Sequence, residues 1–463
     1  MENESSSPQK EESAPLMDEK LKESINTLTH QLYHFQEAII LFVQYPKELV
    51  ILYTQLFLVS YSFGMVLSVL CAYFTDVWGT SDIESGIIIG IYGLMTGIAS
   101  LVTGSFPYRF GVKTSITIGG IIFSAGLTLI AISEWFLVSV VSVYTLTAIG
   151  NSISVPMTIF AISLYTPEKS RIIANSLVVI TFCVTFIFIG IGISLFWEIF
   201  NDNADYAYGA MFLSAAFTAL LSAGLIHFVG PPKYSQETEH QEGKKLNIMD
   251  VFKTKTFMRY FVFLILLTIL LGAFNTFPIS LGKYMTREFG DDVNWGSIFT
   301  IQSIVTIVSI VALSFFLFMI SSYTLIIFGC LISALSFYFF TLPPSYSMCV
   351  FFAIFYGVGC SLFQPRLYDY ILKVAPLGQE VVYFSFLVLP NNVSLLFAGI
   401  LSGVLLEEYC PEDGDEKECW KMWMIICAIA VPTALILVFT RSCIEEPQVE
   451  KKKAFESDDD KAT

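Results

Sequence analysis

Twelve apolar runs, each long enough to cross a lipid bilayer, constrain the fold of this chain more than any other feature. A membrane-spanning helix needs about 20 mostly apolar residues. The runs are Leu49–Tyr73, Ile87–Phe106, Thr114–Ser133, Phe136–Leu164, Ile172–Trp197, Tyr208–Gly230, Tyr260–Leu281, Ile298–Met319, Tyr323–Leu342, Met348–Phe363, Val382–Leu406 and Trp423–Thr440. A membrane barrel would instead alternate apolar and polar residues. With 55% of its 463 residues hydrophobic and 14% charged, the chain is predicted to be an all-α, multi-pass membrane protein whose main partner is the lipid bilayer.

The runs divide into six plus six around the longest internal polar segment. We predict a cytoplasmic tail with an interfacial amphipathic helix over residues 1–45, because Leu21, Ile25, Leu28 and Leu32 recur there at helical spacing. This tail is followed by a six-helix bundle at 46–230, a cytoplasmic inter-bundle loop at 231–259 and a second six-helix bundle at 260–441. Residues 442–463 are expected to form a disordered cytoplasmic tail.

Basic residues concentrate in one set of loops, which predicts the orientation of the chain. Lys113, Lys169 and Lys244 belong to that set, whereas the opposite set is rich in acids such as Asp76 and Asp202. Loops rich in Lys and Arg stay on the cytoplasmic side. Both termini are therefore expected to be cytoplasmic, as an even number of spans requires. The host membrane is left open between the plasma membrane and an endomembrane of the endosome or lysosome.

The stretch "GSFPYRFGVKT" lies between the second and third apolar runs. Gly104, Arg109, Gly111 and Lys113 have the spacing of a Gly-x-x-x-Asp-Arg-x-Gly-x-Lys turn, and the stretch resembles that turn of the major facilitator superfamily. Glycines let such a turn close tightly, and its basic groups can hydrogen-bond carbonyls at neighbouring helix ends. The resemblance implies two six-helix bundles that rock around a central cavity, with this turn acting in a cytoplasmic gate. An ordinary basic loop that only sets topology is the alternative.

Tyr108 occupies the position of the aspartate in this turn. In the superfamily that acid is thought to pair across the bundle and to hold the outward-open state. A tyrosine can still donate a hydrogen bond but brings no charge. We therefore expect a weaker interaction at this gate.

The first run, "YTQLFLVSYSFGMVL", resembles the first helix of the proton-coupled oligopeptide transporters. That helix carries a Glu-x-x-Glu-Arg motif and a later Gly-Met pair. Here Gln55, Leu58 and Val59 take the three charged positions, while Gly64 and Met65 are kept. The resemblance implies a peptide-transporter-like helix whose charged motif has been lost.

No Asp, Glu, Lys or Arg lies in the middle of any apolar run. The stretch Leu146–Gly150 is also uncharged, although the superfamily ties an arginine at this place to proton coupling. A charge inside the membrane costs roughly 3 kcal/mol or more, so proton relays keep one only because coupling requires it. The sequence thus predicts transport without proton coupling through a buried carboxylate.

Neutral polar side chains near mid-membrane are the candidate solute ligands: Tyr53, Gln55, Asn151, Asn275, Gln302, Gln364, Asn391 and Asn392. Buried amides can bind a polar solute through several donors and acceptors, or they can join helices to one another. Both interpretations stay open for each residue. Arg366 and Asp369, in the segment after the tenth run, form either part of a cytoplasmic gate or a solvated charged loop.

Cys410 and Cys419 flank "PEDGDEKE" in the last outer loop. A disulfide is expected there if that loop faces an oxidising compartment, and two unrelated loop cysteines are the alternative. No catalytic constellation, phosphate-binding loop or metal-ligand spacing is found. We therefore expect neither an enzyme nor a nucleic-acid-binding protein, and no cofactor or metal.

These patterns favour a transporter of the major facilitator type. It would move a small polar, neutral solute by alternating access without proton coupling. The loss of charged motif positions supports a second hypothesis, in which the same fold no longer transports. It would then serve as a scaffold or accessory subunit, with other membrane proteins as partners.

Overall fold

A computed structural model describes residues 47–103, 106, 110–166, 170–200, 203–230, 254–290, 293, 295–374, 380–412 and 417–441. Within these ranges lie twelve helices long and apolar enough to cross a membrane, which confirms the predicted fold class. They are α1 (Lys47–Trp78), α2 (Asp82–Thr103), α3 (Val112–Ile132), α4 (Phe136–Leu164), α5 (Arg171–Ile199), α6 (Ala204–Leu225), α7 (Lys255–Phe289), α8 (Gly296–Met319), α9 (Ser322–Ser336), α10 (Tyr346–Val374), α11 (Glu380–Tyr409) and α12 (Cys419–Phe439). The expected amphipathic helix within 1–45, the tail at 442–463 and most of the inter-bundle loop lie outside the described residues.

Buried apolar side chains define two six-helix bundles. The largest cluster draws only on α7 to α12 and the short connections between them, and includes the stacked pair Phe337 and Trp423. Two further clusters belong to α1 to α6. One of these also takes in Ile279, Leu395 and Ala398 of the second bundle. Each bundle therefore has its own core, and the two cores meet along a limited seam.

Consecutive helices run in opposite directions, so the connections alternate between two faces of the molecule. The α2–α3 connection leads into Lys113 on one face, which we call the Lys113 face. The α1–α2, α7–α8 and α11–α12 connections lie on the opposite face, which we call the disulfide face because it carries Cys410 and Cys419.

Helices α2 and α11 join the bundles through a close approach of their backbones. A Cβ atom added to Gly86 would lie 2.3 Å from the carbonyl oxygen of Gly399, and one added to Gly403 would lie 2.5 Å from the carbonyl oxygen of Asp82. Any residue other than glycine would force these helices apart. The contact involves the start of α2 and the end of α11, so it brings the bundles together on the disulfide face.

A second contact between the bundles is made by α5 and α8. A Cβ atom at Gly190 would be 3.4 Å from the carbonyl oxygen of Gly296. Further along these helices, Val179 and Cys183 pack with Ile310. These two helix pairs supply close contacts between bundles that otherwise have separate cores.

Two helices extend beyond the apolar runs that predicted them. Helix α7 continues from the expected end at Leu281 to Phe289, and α10 continues from Phe363 to Val374. The prediction that Arg366 and Asp369 lie in a loop was therefore wrong, because both are on α10 and buried. Their charges did not end the helix because each has a polar partner within the protein, so neither needs to reach water.

Candidate solute cavity and the ion pairs beside it

A cavity of about 300 Å³ lies between the two bundles. Helices α1, α4 and α5 line it from the first bundle, and α7, α8, α10 and α11 line it from the second. Pro156 of α4 and Pro278 of α7 both belong to the lining. Because proline has no backbone N–H, each leaves a helix carbonyl without its usual partner. Helices with an internal proline therefore face the cavity from both sides.

The wall formed by the first bundle is apolar. Phe63 and Leu67 lie four residues apart on α1, and Phe182 and Phe186 lie four apart on α5, so each pair shares one face of its helix. The other lining residues of this bundle are Val155, Pro156, Ile159 and Cys183. This side offers aromatic and aliphatic surface with no strong hydrogen-bonding side chain.

The wall formed by the second bundle carries the polar groups. Four of the predicted amides line it, namely Asn275 of α7, Gln302 of α8, Gln364 of α10 and Asn391 of α11. Ser303 of α8 adds a hydroxyl. Among the described lining residues there is no Asp, Glu, Lys, Arg or His. The cavity is therefore uncharged, and its polarity lies entirely on one side.

The four amides differ in how far their hydrogen-bonding capacity is already used. Asn275 Nδ2 donates to Ser394 Oγ at 2.8 Å, and Gln302 Nε2 donates to Thr306 Oγ1 at 3.2 Å. These two side chains keep a carbonyl oxygen that can accept a bond. Within the described part of the chain, the side chains of Gln364 and Asn391 make no hydrogen bond, so each retains donors and an acceptor.

The other four predicted ligands do not line this cavity. Tyr53 donates to the carbonyl oxygen of Ala174 at 3.1 Å, and Asn151 Nδ2 donates to the Tyr92 hydroxyl at 3.1 Å. Asn392 is buried, with its Cβ 3.4 Å from the Cβ position of Gly97 at the α2–α11 contact. Gln55 is fully buried, and neither of its amide atoms has a partner among the described residues. Tyr53 and Asn151 thus bond neighbouring helices, and none of the four is part of the cavity lining.

The predicted gate turn is only partly described. Gly104, Tyr108 and Arg109 lie outside the described residues. Gly111 has φ +80°, a conformation that favours glycine, and α3 begins directly after it. Lys113 Nζ donates to the carbonyl oxygen of Val229, just beyond the end of α6. The described half of the turn thus ties α3 to a neighbouring helix end within the first bundle.

The pair Arg366 and Asp369 joins helices within the second bundle. Arg366 Nη1 lies 3.6 Å from Asp369 Oδ2, which also accepts a bond from Ser322 Oγ at the start of α9. Arg366 is only 2% exposed, and its Nε and Nη2 atoms have no partner among the described residues. The contacts described for this pair connect α10 to α9 within the second bundle.

An ion-pair cluster that the sequence did not reveal bridges the two bundles. Asp82, the first residue of α2, places Oδ1 2.6 Å from Lys283 Nζ and Oδ2 2.7 Å from Arg287 Nη1, both on α7. Lys283 Nζ also donates to Thr75 Oγ1 of α1 at 2.8 Å. The three charged side chains are 7–11% exposed. We call Asp82, Lys283 and Arg287 the Asp82 cluster; it connects the bundles on the disulfide face.

A disulfide-bonded loop supports the Asp82 cluster. Cys410 and Cys419 form the predicted disulfide between the ends of α11 and α12. Arg287 Nη1 donates to the carbonyl oxygen of Cys410 at 2.8 Å, and Lys417 Nζ donates to the carbonyl oxygen of Arg287 at 3.1 Å. Glu288 lies close to both sulfur atoms, but those atoms are bonded to each other. The loop therefore positions Arg287 rather than forming a metal site.

One signal in the sequence pointed to the Asp82 cluster. Lys283 and Arg287 are four residues apart, which places both on one face of a helix. Their position beyond the apolar run made them resemble loop residues. Asp82 is 201 residues from Lys283 in the chain, so no local pattern could identify it as their shared partner.

Twelve spanning helices in two bundles around an interfacial cavity define the architecture of an alternating-access transporter. A family model described as Major Facilitator Superfamily matches residues 52–376 and, in a second match, residues 262–461. The chain therefore belongs to the major facilitator superfamily of membrane transporters. No curated protein matches the chain in sequence.

Solved structures of transporters have a similar fold. The nucleoside transporter NupG superposes with a TM-score of 0.61 at 15% identity, covering 85% of this chain and 98% of that one. An auto-inhibited peptide transporter of the POT family superposes with a TM-score of 0.67 at 14% identity, covering 87% of this chain and 98% of that one. A POT family transporter in complex with a thioalcohol-conjugated peptide superposes with a TM-score of 0.68 at 13% identity, covering 87% of this chain and 97% of that one. At these identities the likeness concerns the fold alone.

Proposed function

We propose that this protein transports a small polar, uncharged solute by alternating access and without proton coupling. The observation that carries the proposal is the uncharged cavity between two bundles that are ion-paired on one face. In alternating access, the bundles rock about a fixed central site, and contacts on one face break as those on the other form. The Asp82 cluster is a set of contacts that must break when the disulfide face opens.

The lining of the cavity supports an uncharged solute. A charged group that leaves water needs an opposite charge or several strong hydrogen bonds to replace its hydration. The described lining residues supply amides, the hydroxyls of Ser303, Tyr356 and Tyr368, and aromatic rings, but no Asp, Glu, Lys, Arg or His. A neutral solute can exchange its bonds to water for bonds to these amides at little net loss.

The positions of the buried acids support the absence of proton coupling. Asp369 bonds Ser322 and Arg366 inside the second bundle. Asp82 lies between two cations, which stabilise its charged carboxylate. Neither acid is part of the cavity lining. A coupling proton would therefore have no acid beside the solute to bind.

Orientation and the second gate follow from the same proposal. The Lys113 face is proposed to be cytoplasmic, with both termini on that side, because the basic loops of the chain lead into it. The turn containing Gly104, Tyr108, Arg109, Gly111 and Lys113 is proposed to act in the gate on that face. Its support in the structure is the bond from Lys113 to the carbonyl of Val229.

The scaffold hypothesis gains no observation of its own from the described residues. A protein that only holds partners needs neither an internal cavity nor buried ion pairs between its bundles. Both features have a direct use in a transporter, because one receives the solute and the other distinguishes two conformations.

Counterflow in sealed proteoliposomes tests the proposed function. Vesicles loaded with unlabelled uridine, sorbitol or inositol are placed in the same tritiated solute, with and without a pH gradient at a clamped membrane potential. Uptake of at least one solute is expected, at a rate that an uncoupler does not change. Uptake that collapses with the uncoupler would refute the uncoupled mechanism.

A companion measurement follows the conformational change itself. The native Cys183 lines the cavity, so its reaction with a membrane-impermeant maleimide reports access to the cavity. The reagent is added to each face of sealed vesicles, and labelling of Cys183 is read by peptide mass spectrometry. Labelling from both faces in turn supports alternating access, whereas labelling from neither face would support the scaffold.

A further inference from the structure

We propose that the solute is an uncharged planar ring compound with hydrogen-bonding groups along one edge. Its polar edge would bind the amides of the second bundle, and its ring would be covered by the aromatic side chains of the first bundle. This inference rests on the proposed function and adds the chemical class of the solute. It follows from the one-sided polarity of the cavity, the state of its amides and the shape of its apolar wall.

The polar groups of the cavity all belong to one bundle. Asn275, Gln302, Ser303, Gln364 and Asn391 come from four helices of the second bundle, whereas the first bundle contributes no amide, hydroxyl or charged side chain to the lining. A solute with hydroxyls over its whole surface would leave half of them unpaired against the apolar wall, at about 1–3 kcal/mol each. The cavity therefore suits a solute that is polar on one edge and apolar on its faces.

The hydrogen bonds inside the second bundle determine what the polar edge must offer. Asn275 and Gln302 each donate one N–H within their bundle, which leaves each side chain a second N–H and a carbonyl oxygen that can accept a bond. Ser303 is 1% exposed, and its Oγ has no partner among the described residues although the side chain lines the cavity. The solute should therefore present N–H or O–H donors, together with acceptors for the free amides of Gln364 and Asn391.

Aromatic rings form a large part of the remaining lining. Phe182 and Phe186 of the first bundle face a second-bundle wall that includes Phe274 and Phe363. Phe186 and Phe299 lie nearly parallel across the boundary between the bundles, with ring centroids 6.4 Å apart and planes at 20°. Planar rings stack on such surfaces with a gain of about 1–3 kcal/mol per ring. A cavity of about 300 Å³ is at the lower end of the range for small-molecule sites.

Binding of tritiated uridine to the purified full-length protein tests the inference, because uridine is uncharged, its base is planar, and one edge of the base carries an N–H donor between two carbonyl acceptors. Two competitors test separately the lack of charge and the ring. Uridine monophosphate keeps the ring and sugar but adds charge, and sorbitol is uncharged but has no ring. We expect uridine to bind, uridine monophosphate to compete at least 100-fold more weakly than unlabelled uridine, and sorbitol not to compete.

Variants test whether the second bundle binds the polar edge of the solute and the first bundle covers its ring. Gln364→Met and Asn391→Leu should each weaken uridine binding about tenfold, and Phe182→Leu should weaken it about three- to tenfold. Gln55→Met is the matched control, because it replaces a buried amide that does not line the cavity. It should bind uridine as the wild type does. The melting temperature of each variant shows that it has folded.

Each outcome separates the solute class from the proposed function. Equal competition by uridine monophosphate overturns the uncharged class, and competition by sorbitol overturns the requirement for a ring. Unchanged binding by both amide variants overturns the assigned polar edge. If uridine does not bind but Cys183 is labelled from each face in turn, the class is wrong and the transporter proposal stands. If uridine does not bind and Cys183 is labelled from neither face, both proposals fail.

Discussion

Asp82 and Lys283 are 201 residues apart in the chain, yet their side chains meet at 2.6 Å across the boundary between the two bundles. Arg287 approaches the other carboxylate oxygen of Asp82. An ion pair this buried contributes little to net stability, but removal of one member leaves the other charge without compensation. Its main effect is therefore on the balance between conformations that make or break the contact.

Asp82→Asn should favour opening of the disulfide face. The change leaves Lys283 and Arg287 as neighbouring buried cations, which gain hydration when the bundles separate. We expect labelling of Cys183 from the disulfide face to become about tenfold faster, which corresponds to about 1.4 kcal/mol. Asp205→Asn is the control, because it neutralises an exposed acid on the same face. An unchanged labelling rate in Asp82→Asn would show that the cluster does not hold this face closed.

Gly86→Ala should act on the same equilibrium by a steric route. The new Cβ would lie 2.3 Å from the carbonyl oxygen of Gly399, so α2 and α11 cannot keep their present approach. Faster labelling of Cys183 from the disulfide face is expected. Gly224→Ala is the matched control, since a Cβ there meets nothing within 4 Å. Equal labelling of the two variants would contradict the assigned role of the glycine contact.

Gln55→Met should raise the melting temperature. Both amide atoms of Gln55 are buried without a partner in the described residues, so an apolar side chain of similar shape removes a desolvation penalty of about 1–3 kcal/mol. Asn151→Leu should have the opposite effect, because it removes the hydrogen-bond partner of the Tyr92 hydroxyl. The melting temperature measured in detergent should rise for Gln55→Met and fall for Asn151→Leu. A drop for Gln55→Met would contradict the assigned desolvation penalty.

Reduction of the Cys410–Cys419 disulfide should loosen the support of Arg287. The bond closes a short loop with a sequence separation of 9, and such a loop contributes about 2–3 kcal/mol. We expect a reducing agent to lower the melting temperature by a few degrees and to speed labelling of Cys183 from the disulfide face. A double variant, Cys410→Ser with Cys419→Ser, should show both effects without the reductant and no further response to it.

Lys113→Met tests the opposite face. The ammonium group of Lys113 bonds the carbonyl of Val229 beyond α6, and methionine keeps the length of the side chain but not the bond. If the turn belongs to the second gate, labelling of Cys183 from the Lys113 face should change about threefold or more. Thr114→Val, one position along the same helix, provides the control. An effect on stability alone would make the turn a structural element.

The number of helices was predictable because hydropathy is a local property. Each span must exchange water for lipid or protein over about 20 residues, so its apolar run is visible without knowledge of its neighbours. The ends of α7 and α10 were not predictable from hydropathy. Lys283 and Arg366 continue their helices as buried charges. The carboxylate that compensates Lys283 comes from α2, and Asp369, which lies beside Arg366 on α10, is itself bonded by Ser322 of α9.

The candidate amides show the same limit. Asn275 and Asn151 are both polar residues within apolar runs, yet the first lines the cavity and the second bonds Tyr92. Which side of a helix faces the cavity depends on how the helix is rotated against its neighbours. With apolar residues on every side of these helices, the sequence contains little periodicity that could fix the rotation.

The concentration of cavity amides on α7, α8, α10 and α11 has a consequence for how such a transporter can diversify. Substitutions confined to the second half of the gene could alter which solute is chosen, while the first half is left unchanged. A chimaera that keeps residues 254–441 and takes its first six helices from a relative should therefore inherit the hydrogen-bonding preference of this chain. That part of the selectivity would then be a heritable property of one half.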